Sequence, residues 1–102
     1  MALYKAYPKK GKTCKVTFEL PVEATVGVSK VSLAGDFNNW DPSCHSLARN
    51  KEGLFSITLV LEQGREYQFR YLMDESRWEN DWAADKYSPS QYGNCDNSVV
   101  IV

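Results

Sequence analysis

The sequence predicts an all-β domain, a sandwich or barrel of roughly five to eight short antiparallel strands. Three observations predict it. Apolar residues recur at every second position in several segments, Gly, Asn, Asp and Pro turns separate those segments, and no segment sustains a helical apolar period. With 102 residues, 43% of them hydrophobic and 25% charged, the chain buries about two-thirds of its unfolded surface, enough for a single core.

The chain opens on a basic run of Lys5, Lys9, Lys10, Lys12 and Lys15, which reads as a solvated, flexible tail over residues 1–11, leaving 12–102 as the domain. From 13 to 20 the residues alternate, with Cys14, Val16, Phe18 and Leu20 on one face and Lys15, Thr17 and Glu19 on the other, the signature of a half-buried strand. Pro21 ends it. A second strand over 29–35 directs Val31 and Leu33 inward and meets a turn-rich segment from Asp36 to Pro42, where Asn and Asp favour a tight bend. A short strand over 46–49 turns at residues 50–53 into the stronger run 54–61, whose Phe55, Ile57, Leu59 and Leu61 face the core.

Gln63 and Gly64 form the next turn, into a strand over 66–73. There Tyr67, Phe69, Tyr71 and Met73 share the inner face, and Gln68, Arg70 and Leu72 the outer. A bend at Asp74, Glu75 and Ser76 leads to a brief strand around Trp78, then a long polar loop over 80–97, and a last strand over 98–102.

Several functions are excluded at this level. The net charge of −1 and a pI of about 5.8 provide no field for nucleic acid or an anionic membrane. The first residues lack an apolar signal core and no stretch reaches the length of a membrane span, so a cytoplasmic protein is expected. Three cysteines, Cys14, Cys44 and Cys95, are an odd number without repeated spacing, which fits reduced thiols, a Cys14–Cys95 bridge being the alternative. Cys44 and His45 are adjacent, so their side chains point apart in a strand, and no second ligand pair follows. No metal or other cofactor is implied.

Asp36, Asp74, Asp81 and Asp85 raise the question of a glycosidase, which needs two carboxylates roughly 5 to 10 Å apart across the scissile bond. A domain this small offers no deep cleft to raise one of them. The lone His45 has no nucleophile motif around it, and Ser43 and Ser46 read as turn residues. Catalysis is not expected.

The chain resembles the glycogen-binding or isoamylase N-terminal early-set domains, carbohydrate-binding module family 48. Three segments carry the resemblance: Val31-Ser-Leu-Ala-Gly-Asp-Phe-Asn-Asn-Trp40, then Tyr67-Gln-Phe-Arg-Tyr-Leu-Met-Asp74 followed by Arg77-Trp78, and Asn97-Ser-Val-Val-Ile101. It implies an immunoglobulin-like, early-set antiparallel β-sandwich that binds α-1,4-linked glucan such as glycogen, starch or a maltooligosaccharide. The implied contacts are Trp40 from the Asn-Asn-Trp turn, Arg70 from the central strand, Trp78 just beyond it, and Tyr92, Asn94 and Asn97 from the loop before the last strand. The sequence departs from the kinase-subunit pattern with Arg at 70 in place of Lys and Tyr at 92 in place of Leu. Cys95 and Asp96 fit that pattern less well.

The chemistry suits the ligand. A pyranose has a C–H patch on its face and hydroxyls on its rim; aromatic faces cover the first, and Arg, Asn and Asp side chains bond the second. Polar flanks, Asn39 and Asp41, favour an exposed Trp40, and Arg77 and Glu79 do the same for Trp78. Trp82 reads as a core residue or loop anchor. Arg70 also reads as a surface residue paired with a carboxylate, and Asn97 as a turn closer. The alternative to a glucan module is an early-set protein-interaction or dimerisation domain. In it, Trp78, Trp82 and Tyr92 would dock on an α-glucan-metabolising enzyme or on a second copy.

Overall fold

The strongest alternating segments make the inner walls of the domain. In a computed structural model describing residues 1–90 and 95–102, β2 (Thr13–Glu19) turns Cys14, Val16 and Phe18 inward, each with no exposed surface. It pairs antiparallel with β5 (Phe55–Glu62), Phe18 opposite Ile57 and Val16 opposite Leu59. Together with β1 (Ala2–Ala6) and β4 (Ala48–Arg49), they form a four-stranded sheet in the order β1-β2-β5-β4.

The facing sheet is built on β6 (Glu66–Met73). Along one edge it pairs with β3 (Val31–Gly35); along the other its first half pairs with β9 (Asp96–Ile101) and its second half with β7 (Arg77–Glu79). The two inner faces interlock where Phe18 meets Phe69 edge-on at 5.1 Å between centroids; along β6, Phe69 meets Tyr71 the same way at 5.7 Å. Each such buried ring contributes about 2 to 3 kcal/mol of apolar burial. The architecture is the expected antiparallel sandwich.

Three expectations need correction. Residues 1–11 were expected to form a flexible tail, but Ala2–Ala6 is edge strand β1, in register with β2 from Ala2 opposite Glu19 to Ala6 opposite Lys15. Leu3 and Met1 pack on the core, and Lys5 pairs with Asp85 at 2.7 Å, joining the two sheets at their edge. The expected 80–97 loop contains β8 (Lys86–Pro89), paired with β9. An edge strand needs no apolar face and tolerates a terminal Pro, so neither strand shows clear alternation.

The third correction is Trp82, expected in the core or as a loop anchor but 60% exposed. Its neighbour Asp81 is buried instead, with no exposed surface. Tyr71 Oη donates to Asp81 Oδ2 at 2.6 Å and the Ala83 N–H to Oδ1 at 2.8 Å. The Asp81 N–H donates to Ser98 Oγ, and Tyr87 Oη to the Asp81 carbonyl. One residue thus ties the segment after β7 to β6 through its carboxylate and to β8 and β9 through its backbone carbonyl and N–H.

Tyr71→Phe leaves that carboxylate oxygen buried and short of a donor, and is expected to cost about 2 kcal/mol in denaturant titrations. Burial, with the Asp81 charge and hydrogen bond beside it, holds the Tyr71 phenol well above its ordinary value of 10.0. Its contribution is therefore fully present below about pH 10 and is lost as pH rises through the folded phenol's higher value. Tyr71→Phe should remove that alkaline slope.

Candidate functional site

The outward residues of β6 define the floor of an open groove of about 650 Å³ on the five-stranded sheet. Gln68 and Arg70 lie two apart and so share its outer face. Asp36, Trp40, Trp78, Pro89, Ser90 and Asn97 complete the lining. Four of the six expected site residues, Trp40, Arg70, Trp78 and Asn97, are therefore brought together from a turn and three strands. Tyr92 and Asn94 lie outside the described residues.

The turn after β3 explains how its sequence sets the first indole. Phe37 points inward, its ring 6.0 Å from Phe18 and 6.1 Å from Tyr67. Asp36 and Trp40 point outward. Asp36 uses both carboxylate oxygens: the Trp40 indole N–H donates to Oδ1 at 3.0 Å and the Gln68 backbone N–H to Oδ2 at 2.8 Å. Asn39 and Trp40 both take left-handed backbone, at φ 55° and 59°. For a tryptophan this conformation costs about 1 kcal/mol or more, which the surrounding bonds must hold in place.

Arg70 is equally constrained. Its Nε and Nη2 both donate to the Asp96 carbonyl, at 3.2 and 2.6 Å, and Asn80 Nδ2 donates to the same oxygen at 2.9 Å. The grip aims the guanidinium, and its Nη1 hydrogens have no acceptor among the described residues. Arg70 thus pairs with a carbonyl, not with the carboxylate that a plain surface residue would seek. Asn97 is 8% exposed, and its Nδ2 donates to Gln68 Oε1 at 2.9 Å, which leaves Oδ1 as its acceptor.

Trp78, 44% exposed, stands opposite Leu72 on β7. Trp40 is tied through Asp36 to Gln68, four residues earlier on the same strand. The anchor points of the two indoles are thus about 13 Å apart along β6, with Arg70 between them.

Asp36, Gln68, Pro89 and Ser90 were not chosen from the sequence. For Gln68 a signal existed, since any outward Arg70 takes the residue two before it to the same face. For Asp36 the paired acceptor role depends on β3 and β6 meeting, and Pro89 and Ser90 depend on the unforeseen β8.

This groove sits on the three segments that carry the family motifs. Residues 9–102 match the family model described as the glycogen recognition site of AMP-activated protein kinase. The chain belongs to this glycogen-recognition family. Two amylopullulanases contain segments similar to this module: that of Thermoanaerobacter thermohydrosulfuricus is 29% identical over 91 residues, 86% of this chain and 6% of that protein. That of Thermoanaerobacterium thermosulfurigenes is 35% identical over 77 residues, 71% of this chain and 4% of that protein. The chain thus spans only a small fraction of the curated relatives it matches. As a glycogen-recognition module, its kind is carbohydrate-binding and not catalytic.

Proposed function

We propose that the chain holds an α-1,4-linked glucan along the outer face of its five-stranded sheet and performs no chemistry on it. Trp40 and Trp78 cover the C–H faces of two sugar units, while Arg70, Gln68 and Asn97 bond rim hydroxyls between them. The observation that carries this reading is the pair of indoles flanking a braced guanidinium in one open groove.

The carboxylates support the non-catalytic part. Among the described lining residues Asp36 is the one acid, and both its oxygens are engaged. Asp74 accepts the Ser29 and Lys30 N–H groups, Asp81 is buried, and Asp85 pairs with Lys5. A glycosidase needs two carboxylates across one bond. The proposed role is to bring an α-glucan-active enzyme to its polysaccharide, in line with the amylopullulanase relatives.

Retardation in native gels containing glycogen, together with calorimetric binding of maltoheptaose, is the expected result. No retardation and no heat at millimolar maltoheptaose would sink the reading. A second reading draws on Trp82 and Tyr87, 60% and 46% exposed and outside the groove lining, as a face for another protein or a second copy. Light scattering separates the two. A concentration-dependent dimer lost in Trp82→Ala, with no response to maltoheptaose, favours the second.

A further inference from the structure

The turn that presents Trp40 is held by a side chain outside the groove lining. Asn38 uses both ends of its amide: Oδ1 accepts the Gly35 N–H at 3.0 Å, and Nδ2 donates to the Leu33 carbonyl at 2.9 Å. These two bonds fix which end is oxygen, because a flipped amide would set donor against donor at Gly35. The end that lies 2.9 Å from His45 Nδ1 is therefore the NH2. It has only hydrogens to offer, so Nδ1 is the acceptor and the neutral imidazole carries its proton on Nε2.

We infer, on the reading of the groove as a glucan site, that Asn38 and His45 are positioning residues for the Trp40 platform and that neutral His45 is the binding-competent form. A protonated imidazole presents an N–H at Nδ1, where the Asn38 NH2 already points. One of the two groups must move. His45 is half-buried and packed edge-on against Phe37 at 6.2 Å, whereas Asn38 moves only by releasing Gly35 and Leu33. Those bonds close the turn that holds Asn39 and Trp40 in left-handed backbone, so their loss lets the strained pair relax and the indole leave its place.

The other titratable groups of this corner have different commitments. On the turn, Asp36 is bonded to Trp40 and Gln68, and Asp41 accepts the Ser43 hydroxyl and N–H, which lower its carboxyl. Cys44 is raised, by desolvation and by Asp41. β6 contributes Tyr67, against Phe37; β2 contributes Phe18, and β3 only uncharged residues. Among the described residues no charged side chain bonds to the imidazole. An imidazole gains its second proton as pH falls, and that proton conflicts with the Asn38 NH2, so binding should weaken on acidification.

Two measurements test this on the whole chain. In ligand-free protein, the Trp40 indole N–H cross-peak should shift with the same midpoint as the His45 ring signals as pH is lowered. Maltoheptaose affinity should fall about fivefold between about pH 7.5 and 5.5, the worth of one hydrogen bond. His45→Asn keeps an acceptor oxygen near the place of Nδ1 and does not titrate. Its indole cross-peak should stay still, and its affinity should be the same at both pH values.

An indole signal indifferent to His45, or the same pH loss in His45→Asn, overturns the inference. Equal maltoheptaose binding by wild type at both pH values overturns it while leaving the groove reading intact. Coupled titration with no maltoheptaose binding at either pH does the reverse, removing the glucan site and leaving the positioning device. If His45→Asn does not fold, the wild-type cross-peaks decide.

Discussion

Trp40→Gly is expected to weaken maltoheptaose binding about 30-fold while moving the melting temperature by no more than about 5 °C. The first effect follows from losing one of two stacking faces, worth about 2 kcal/mol of binding from apolar contact and ring packing. The second follows from the backbone. At φ 59° glycine is unstrained where tryptophan is not, so relief of about 1 kcal/mol offsets the lost indole hydrogen bond and partial burial. A core tryptophan behaves oppositely: its truncation costs about 3 to 5 kcal/mol, which for a domain this size lowers the melting temperature by well over about 12 °C. Calorimetric titration and thermal melts on the same variant therefore separate a ligand platform from a packing residue. A large drop in melting temperature with undiminished binding would show that Trp40 serves the fold.

Gly35→Ala should do the reverse, with the largest expected effect on stability. A Cβ at this position would lie 2.4 Å from the Gln68 carbonyl oxygen, 2.8 Å from Phe69 Cβ and 3.0 Å from Phe37 Cζ. Two of these belong to β6 and cannot yield like the tip of a flexible side chain. Gly35 is extended, at φ −176°, so glycine is needed here for close approach and not for backbone freedom. To admit a methyl group, β3 must part from β6, at a cost of about 3 kcal/mol, or roughly 12 to 24 °C in melting temperature. The same parting draws Asp36 away from the Gln68 N–H, so glucan affinity should fall as well. A variant with wild-type melting temperature would show that the strands part at little cost.

These expectations rest on features of unequal legibility. The inner faces of β2, β5 and β6 were readable because each strand has a partner on both edges and one face sealed, so apolar residues occupy alternate positions. β1 and β8 were not, since an edge strand of five or four residues forms by using a neighbour's free backbone groups whatever its own pattern. The exchange at Asp81 and Trp82 was illegible for a related reason. A carboxylate goes inside when donors meet it there, and those donors include Tyr71, ten residues earlier on β6.

By itself the sequence determined which side chains each central strand turns inward, the turn chemistry around Trp40, and the family motifs that name the ligand class. Only the tertiary structure decided that Trp40, Arg70, Trp78 and Asn97 line one groove, that Asp36 locks the first indole to β6, and that Asn38 ties this turn to His45. The division has a physical reason. Facing is a local property, repeated every two residues along a pleated backbone. Which strands become neighbours, and in what register, is settled by packing of the shared core.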